Sequence, residues 1–339
     1  MISRVLFAGC AALLASAILT GWVRRFALKY GIVDSPNARS SHARVTPRGG
    51  GIAIAIVCAA GVAAACAIGW IDLPLAAALG AGGMLVALIG FLDDRYSISV
   101  GTRLLVHFVA AVLAVALLGG LPPLQVGARL VELGLLGDLL AVAGVVWAVN
   151  AFNFMDGIDG IAATEATMVA LFGSALAFGA FGGPEIGLAA AIFAASCCGF
   201  LFWNWPPARI FMGDAGSGFL GFFVAVLALG AARNTPAALF VWLILAGAFF
   251  VDATTTFVRR LLRGARVHQA HREHAYQWLA RRLGSHRAVD WVFIGVNVGW
   301  LGPCACYAAG RPEDACVVSI IALCPLVPAA LAVGAGRKE

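Results

Sequence analysis

Residues 74–92 read PLAAALGAGGMLVALIGFL, and the charged triplet Asp93-Asp94-Arg95 follows at once. The apolar run contains no charged residue and approaches the about 20 residues that a helix needs to cross a bilayer. Its abrupt end at two carboxylates indicates where the helix leaves the hydrocarbon. Similar apolar runs with polar motifs at their ends recur along the chain, so this stretch predicts an all-α, polytopic integral membrane bundle.

The composition of the whole chain supports this prediction. Charged residues make up 12% of the 339 positions and hydrophobic residues 62%, with a mean hydropathy of +0.93. A soluble domain carries about 25% charged residues. The difference excludes a soluble globular enzyme, a disordered chain and a disulfide-stapled secreted domain. Continuous rather than alternating apolar runs argue against a membrane β-barrel.

The apolar residues suffice for about 10 or 11 transmembrane helices. The predicted spans lie at about 4–23, 49–71, 74–92, 104–120, 135–152, 161–181, 186–203, 217–232, 236–257, 288–309 and 315–334. The number falls by one if 217–232 is a half-span. The first run also resembles a signal peptide with Ala15-Ser16-Ala17 as a cleavage-like site. The basic residues Arg24 and Arg25 after the run favour an uncleaved span with its N-terminus outside.

Alternation of the spans assigns the loops to two sides of very different charge. One side holds 19 of the 23 Lys and Arg residues. The other side holds only Arg4, Arg129, Arg233 and Arg311. The positive-inside rule therefore predicts that the basic side is cytoplasmic.

Five polar motifs fall on the basic side. Their position is independent support, because that side is assigned from the spans and the basic residues alone. The motifs are Val33-to-His42 with Pro47-to-Gly51, Asp93-Asp94-Arg95, Asn150-to-Gly160 (NAFNFMDGIDG), Asn204-to-Pro207 with Phe211-to-Gly218 (FMGDAGSG), and His268-to-His274. Carboxylates close to the hydrocarbon boundary are costly and are usually functional. The clustering predicts an active site on the cytoplasmic face.

The residue types in these motifs indicate a reaction class. Adjacent carboxylates such as Asp93 and Asp94 repel each other unless a cation or a proton lies between them. Mg²⁺ is a hard cation that takes carboxylate oxygens and keeps positions open for phosphate oxygens. The basic and histidine residues on the same face suit an anionic substrate. Together these features predict Mg²⁺-dependent phosphoryl transfer at the membrane surface, with Mn²⁺ as the alternative metal.

A secondary transporter is the alternative from another functional class. Intramembrane acids and glycine-broken helices occur in transporters too. Transport favours charges near the bilayer midplane and a two-fold repeat of hydropathy. Here the acids cluster at one face and no repeat is evident, which favours the enzyme.

The motifs resemble those of the polyprenyl-phosphate N-acetylaminosugar-1-phosphate transferases, glycosyltransferase family 4. The resemblance runs from about residue 33 to 290 and is most specific at Asn150-to-Gly160 and Phe211-to-Ser217. Val33-to-His42, Asp93-Asp94-Arg95 with Arg103, and Arg259-Arg260 resemble the branch that initiates O-antigen and common-antigen lipids. The related phospho-muramoyl-pentapeptide translocases of peptidoglycan synthesis, the alternative within the family, usually carry three consecutive histidines. This chain has Ala270-His271-Arg272-Glu273-His274 instead.

The resemblance implies a single integral membrane transferase domain over residues 1–339. It implies transfer of an N-acetylaminosugar 1-phosphate from a UDP-sugar to undecaprenyl phosphate, which gives undecaprenyl-diphospho-sugar and UMP. The spaced histidines resemble transferases that load a 6-deoxy sugar such as N-acetylfucosamine or N-acetylquinovosamine for O-antigen or other polysaccharide synthesis. An inactive homologue that recruits partners is disfavoured, because no motif acid is missing.

The resemblance also implies partners and a location. The expected partners are the UDP-N-acetylaminosugar, the undecaprenyl phosphate lipid and the membrane, with no nucleic acid. Relatives dimerise, so a homodimer is a further expectation. The expected location is the bacterial inner (cytoplasmic) membrane, with several passes, the N-terminus outside and the active site in the cytoplasm.

The roles of individual residues follow from the same resemblance. Asp214 is expected to bind the Mg²⁺. Asp93 and Asp94 are expected to complete the metal site or to deprotonate the lipid phosphate. The other expected catalytic residues are His271 and His274, and the expected substrate-binding residues are Asn153, Asp156, Asp159, Arg272, Arg39, His42 and Arg48.

The resemblance leaves two mechanisms open, and the chain departs from the family pattern at two positions. We expect direct attack of the lipid phosphate on the donor, with a covalent aspartyl intermediate as the alternative. Arg209 stands where the family often has Lys, and no Lys follows the acidic pair. Both departures affect the detail of the site rather than the class of the enzyme.

Overall fold

The computed structural model describes residues 2–34, 45–181, 183–266 and 271–338. Nearly all regular structure in these ranges is helical, which confirms the predicted fold class. The helices are α1 (Ile2–Lys29), α2 (Ile52–Ala67), α3 (Leu73–Ala77), α4 (Gly83–Tyr96), α5 (Val100–Leu117), α6 (Gly134–Met155), α7 (Ile161–Gly179), α8 (Pro184–Asn204), α9 (Asp214–Asn234), α10 (Ala238–Leu245), α11 (Gly247–Leu262), α12 (Ala275–Leu283), α13 (His286–Val296), α14 (Gly302–Gly310), α15 (Ala315–Leu323) and α16 (Leu326–Val333).

Short irregular elements join several of these helices. The π-helical turn Ala78–Gly82 makes α3 and α4 continuous, and Asn297–Leu301 does the same for α13 and α14. A 3₁₀ turn, Pro312–Asp314, precedes α15. The two β-pairs are antiparallel, and they are β1 (Val33–Asp34) with β2 (Thr46–Pro47) and β3 (Leu124–Val126) with β4 (Arg129–Val131).

Within the described ranges, nine helical stretches are long and apolar enough to cross a membrane. The bent pair α10 and α11 makes ten if it counts as one span. The helix within the predicted span 49–71 is shorter than expected, because α2 has only 16 residues. The chain turns away soon after α2 at Gly69, which adopts φ +71°. The half-span alternative for 217–232 is wrong, since α9 has 21 residues.

Helix α9 lies at the centre of the bundle, and 94% of its most apolar stretch is buried. Glycine allows its neighbours to approach closely. A Cβ added at Gly221 would lie 2.2 Å from the carbonyl oxygen of Ala148 in α6. Because α4 and α6 both pack on α9, the motifs at the ends of these helices meet at the start of α9.

The outer helices expose apolar side chains. The most apolar stretches of α1 and α5 are only 11% and 22% buried. Large hydrophobic residues such as Phe7, Trp22, Leu105 and Phe108 are exposed on them. A surface of this kind fits lipid rather than water, which agrees with a multi-pass membrane protein.

The span formed by α10 and α11 bends by 74° at Ala246. Gly247 begins the second half in a crowded position, since a Cβ there would lie 2.3 Å from Leu323. Nearby, the buried Glu165 accepts a hydrogen bond of 2.6 Å from Asn297. The bend directs the polar end of α11, with Asp252 and the arginines that follow, toward the loop that precedes α12.

A backbone ladder attaches the segment after β2 to the segment before α9. The N–H of Phe211 donates to the carbonyl of Pro47 at 2.8 Å, and Gly50 N–H donates back to Phe211 at 2.9 Å. Gly51 N–H donates to Met212 at 2.9 Å. This pairing places Arg48 beside the first residue of α9.

Candidate active site

The N-terminus of α9 carries the central carboxylate of the site, that of Asp214. Gly213 adopts φ +78°, which glycine tolerates without strain, and turns the chain into the helix. Asp94, at the end of α4, accepts the backbone N–H groups of Asp214 at 3.1 Å and Ala215 at 3.4 Å. Since a helix N-terminus stabilises a negative charge, Asp94 caps α9 and fixes the position of Asp214.

Two arginines join Asp214 to the acidic pair. Arg48 Nη2 lies 2.9 Å from Asp94 Oδ1 and 2.8 Å from Asp214 Oδ1. Arg103 Nη1 contacts Asp93 Oδ2 and lies 3.0 Å from Asp214 Oδ2. The two guanidinium groups supply the positive charge that allows three carboxylates to lie together.

A fourth carboxylate, Asp156, follows directly on α6. Asp156 is half-buried and lines two adjoining cavities, one polar and one mostly apolar. Burial, and then the charge of Asp214, raise the pKa of Asp156 well above its usual value. The side chain of Asp214 is 21% exposed, whereas that of Asp94 is 5% exposed. Asp156 and Asp214 are therefore the carboxylates that a ligand could reach from either cavity.

The donor chemistry of Asp156 and Asp214 fits a hard divalent cation, because Mg²⁺ takes carboxylate oxygens. Across the part of the chain that the structure describes, no three His, Cys, Asp or Glu side chains converge into a preformed metal site. Arg48 and Arg103 lie against the oxygens of Asp214 instead. The assignment of Asp214 as a magnesium ligand stays a prediction, and so do the metal or proton-transfer roles of Asp93 and Asp94.

The first cavity is polar and has a volume of about 660 Å³. It brings together residues from the predicted motifs that lie far apart in the chain. From the predicted set it is lined by Arg48, Asn153, Asp156, Asp159, Asp214, His271 and Arg272. Gln277, Arg281, Ser285 and His286 complete much of the opposite wall.

The second cavity is larger, about 880 Å³, and mostly apolar. It lies between α5, α6 and α11, and its walls include Leu104, Phe108, Leu139, Val146 and Phe257. One end of it reaches Asp214, Asp156 and His271, which also line the polar cavity. An apolar groove and a polar pocket therefore meet at the same carboxylates.

Two predicted residues of the NAFNFMDGIDG motif have different surroundings. Asn153 donates to the Ser217 hydroxyl at 3.0 Å and faces both cavities. Asp159 accepts the N–H of Ala208 at 3.0 Å and lies 3.4 Å from His286 Nδ1. Asp159 thus borders the polar cavity while it holds the segment before α9 in place.

The histidine motif lies on the loop before α12. His271 stacks on His274 with 4.9 Å between the ring centroids. Burial, and then His274, lower the pKa of His271 to about 4, so the His271 imidazole is neutral near pH 7. His274 is almost fully buried and lies 3.4 Å from Asp252 Oδ1. His271 therefore faces the cavities as a neutral hydrogen-bonding group.

Asp252 of α11 fixes the start of α12. Its carboxylate accepts the N–H groups of Ala275 and Tyr276, both at 2.9 Å. The Tyr276 hydroxyl in turn donates to the carbonyl of Phe154 at 3.1 Å. These bonds connect the histidine loop to α11 and α6.

Sequence reasoning missed several residues of the site. Gln277, Arg281 and His286 were not expected to take part, and Arg103 was noted only as part of the motif of the acidic pair, without a role. Arg103 contacts both Asp93 and Asp214. A signal was present, because Arg103 lies ten residues after Asp93, but an isolated basic residue near a span end is also a common topology signal. The predicted residues Arg39 and His42 lie outside the described residues.

The chain is similar to several named polyprenyl-phosphate sugar-phosphate transferases. A family model described as Glycosyl transferase family 4 matches residues 76–232. A probable undecaprenyl-phosphate N-acetylglucosaminyl 1-phosphate transferase of Bacillus subtilis is 33% identical over 293 residues, which cover 84% of this chain and 79% of that protein.

Two further relatives extend this comparison. A decaprenyl-phosphate N-acetylglucosaminephosphotransferase of Mycobacterium tuberculosis is 29% identical, with 93% of this chain and 85% of that protein covered. An undecaprenyl-phosphate alpha-N-acetylglucosaminyl 1-phosphate transferase of Salmonella typhi is 31% identical, with 76% and 71% covered. The chain belongs to glycosyl transferase family 4, the polyprenyl-phosphate aminosugar-1-phosphate transferases.

Proposed function

We propose that this protein transfers an N-acetylaminosugar 1-phosphate from a UDP-sugar to undecaprenyl phosphate and releases UMP. The observation that carries the proposal is the meeting of the polar and apolar cavities at Asp214 and Asp156. A reaction between a water-soluble nucleotide and a membrane lipid needs such a junction, because each substrate must reach the same point from a different phase.

The polar cavity is the proposed site of the UDP-sugar. Its volume of about 660 Å³ lies within the range of roughly 300–1,000 Å³ that small-molecule sites occupy. Arg48, Arg272 and Arg281 supply positive charge for the diphosphate. Neutral His271 and Asn153 supply hydrogen bonds without adding net charge.

The apolar groove is the proposed site of the polyprenyl chain. Its walls come from α5, α6 and α11, and α5 is one of the exposed outer helices. A lipid can therefore enter the groove from the membrane with its isoprenoid units against Leu104, Leu139 and Val146. The phosphate then lies at the polar end, close to Arg103 and Asp214.

The proposed reaction is a direct displacement. An oxygen of the lipid phosphate forms a bond to the β-phosphorus of the donor, and the bond between that phosphorus and the oxygen of the α-phosphate breaks. UMP leaves with the electron pair, and the sugar phosphate remains on the lipid as a diphosphate. Phosphoryl transfer of this kind depends mostly on positioning and charge neutralisation, which Arg48 and Arg103 are placed to supply.

The proposal includes a divalent cation. Bound Mg²⁺, or Mn²⁺ in its place, would neutralise charge on the diphosphate, and Asp214 with Asp156 would hold it. Asp94 supports this site through its bonds to the start of α9. The covalent alternative would need one of the acidic pair to reach the donor, and Asp94 already bonds two backbone N–H groups there.

We further propose a role at the start of O-antigen or related polysaccharide synthesis, at the inner membrane with the site in the cytoplasm. The relatives' names specify N-acetylglucosamine, whereas the spaced histidines favour a 6-deoxy sugar such as N-acetylfucosamine or N-acetylquinovosamine. The donor is the part of the proposal that needs a direct comparison of sugars.

The test is a panel of UDP-N-acetylaminosugars with undecaprenyl phosphate and purified protein, in which released UMP is measured with and without Mg²⁺. Asp214→Asn is expected to reduce release by about 10²–10³-fold or more, since a group that acts on the transition state is lost. Glu132→Gln, an exposed change outside both cavities, is the matched control. Absence of UMP release from every donor, or near-normal turnover by Asp214→Asn, contradicts the proposal.

A further inference from the structure

Glu273 lies in the histidine loop, between Arg272 and His274, and its carboxylate faces away from the polar cavity toward α11. Arg260 Nη1 lies 3.0 Å from Glu273 Oε2, and Arg263 Nη2 lies 2.5 Å from the same oxygen. The side chains of Arg260 and Glu273 are only 6% and 12% exposed. The pair of Arg260 with Glu273 is therefore mostly removed from water, where it is screened less than a surface pair.

The segment after α16 closes over the same group of residues. The carbonyl of Gly336 accepts from Arg263 Nη1 at 2.6 Å, and the carbonyl of Ala335 accepts from Arg259 Nη1 at 2.8 Å. The Gly336 N–H donates to the backbone carbonyl of Glu273 at 2.7 Å. Gly336 adopts φ +66°, and a Cβ there would lie 2.8 Å from the Cβ of Arg259.

We propose that Arg260, Arg263, Glu273 and Gly336 form a positioning device, the loop anchor, that holds His271 and Arg272 against the donor's diphosphate. This inference rests on the proposed function, since it concerns the same site. None of the four residues lines either cavity, so none of them is a catalytic residue. They act by fixing the backbone from which His271 and Arg272 project.

The contacts support positioning rather than general packing. Three of them end on Glu273 alone, two on its carboxylate and one on its carbonyl. Although burial by itself raises the pKa of Glu273, its contacts with Arg263 and Arg260 lower it below the usual value overall. The carboxylate is therefore charged throughout the neutral range, and the anchor is complete under the conditions in which the donor binds.

Glu273 is close in the chain to the two residues that it is proposed to position. Glu273 follows Arg272 directly, and His271 Nδ1 accepts the backbone N–H of Glu273 at 3.4 Å. A shift of the Glu273 backbone is passed to the His271 ring through this bond. Because a displacement of about 1 Å can cost on the order of 10²-fold in rate, loss of the anchor is expected to reduce turnover.

Two variants test the anchor by independent routes. Glu273→Gln removes the charge, and Gly336→Ala removes space without changing any charge. Each is expected to lower kcat for UMP release at least ten-fold while KM for undecaprenyl phosphate changes less than two-fold. Hydrogen–deuterium exchange is expected to accelerate in residues 271–284 and to stay unchanged in α9.

Each variant has a matched control. Glu313→Gln removes an exposed carboxylate from the turn before α15. Gly69→Ala introduces Ala at φ +71°, with no atom within 4 Å of the new Cβ, so it shares the backbone strain of Gly336→Ala and lacks the clash. Both controls are expected to keep wild-type kcat and exchange.

A double variant separates the anchor from two unrelated effects. Glu273→Gln combined with Arg263→Gln is expected to lose less activity than the sum of the two single losses, because both changes remove the contact between Arg263 and Glu273 and only Arg263→Gln also removes the bond to the Gly336 carbonyl. Additive losses, wild-type kcat in Glu273→Gln, or equal behaviour of Gly336→Ala and Gly69→Ala overturn the inference. If Glu273→Gln does not accumulate in the membrane, the two glycine variants decide. If the wild-type protein releases no UMP, the proposed function is wrong. The exchange measurements on the variants still test the anchor in that case.

Discussion

Gly90 of α4 lies directly against the backbone of Asp214: a Cβ at Gly90 would come within 2.4 Å of the Asp214 carbonyl oxygen and 2.6 Å of the Ala215 nitrogen. The central carboxylate of the site is therefore positioned by contact between two backbones. Only a residue without a side chain fits between them. Asp94, one turn further along α4, caps the same end of α9.

Gly90→Ala is expected to reduce UMP release by about 10²-fold, because the added methyl group displaces the start of α9 from the acidic pair. The measurement is kcat of the purified variant together with its melting temperature. Gly80→Ala in the same span is the control, since a Cβ at Gly80 has no neighbour within 4 Å. Equal activities of the two variants would mean that the contact does not position Asp214.

Arg103→Gln is expected to make the protein more dependent on Mg²⁺ for its stability. Without the guanidinium, Asp93 and Asp214 lose a shared positive neighbour, and a cation at Asp214 meets less competition. The melting temperature of the variant should lie a few degrees below wild type without Mg²⁺, since about 1 kcal/mol corresponds to roughly 2–4 °C in a domain of 150–250 residues. It should rise further than wild type when Mg²⁺ is added.

The comparison for Arg103→Gln is Arg282→Gln, an exposed change outside both cavities. Its response to Mg²⁺ should equal that of wild type. An identical Mg²⁺ response in Arg103→Gln and wild type would argue against cation binding at the oxygens that Arg103 contacts.

His271 is expected to make stability pH-dependent in acid. The pKa of His271 is lowered to about 4 in the folded protein, whereas an unfolded histidine titrates near 6.5. Between these values the unfolded chain binds the proton and the folded chain does not, so the free energy of unfolding falls as the pH is lowered from about 6.5 to 4.

The variant that checks this is His271→Gln, which cannot titrate. Thermal unfolding measured at several pH values should give a smaller loss of stability between pH 6.5 and 4 in the variant than in wild type. Parallel pH profiles for the two proteins would show that His271 is not held in its neutral form.

Ala143→Phe is expected to obstruct the apolar groove. Ala143 lines the groove on α6 and is exposed there, so a benzyl group would occupy space proposed for the isoprenoid chain. KM for undecaprenyl phosphate should rise at least five-fold, and KM for the UDP-sugar should stay within two-fold. Ala64→Phe on α2, exposed and outside the cavities, is the control; similar effects of the two changes would reject the groove as the lipid site.

The residues of the site differ in whether neighbouring sequence or distant packing reveals their role. Asp93-Asp94, Asn153, Asp156 and Asp214 were recognisable because each lies at the end of an apolar run, and the structure places all of them around one site. The capping of α9 by Asp94 was not predictable, since it depends on how two helices pack. The roles of Asp252 and Glu273 depend in the same way on the bend between α10 and α11.

The membrane class, the number of spans to within one or two, and the family could all be predicted from the sequence. These follow from run lengths, the uneven distribution of charge and short motifs, all of which are read over neighbouring residues. Which charges neutralise each other depends instead on how the helices pack. Arg103 meets Asp214 across 111 positions, and Arg48 meets it across 166, because close packing of α4 and α6 on α9 brings distant ends together, and that packing depends on contacts no local pattern records.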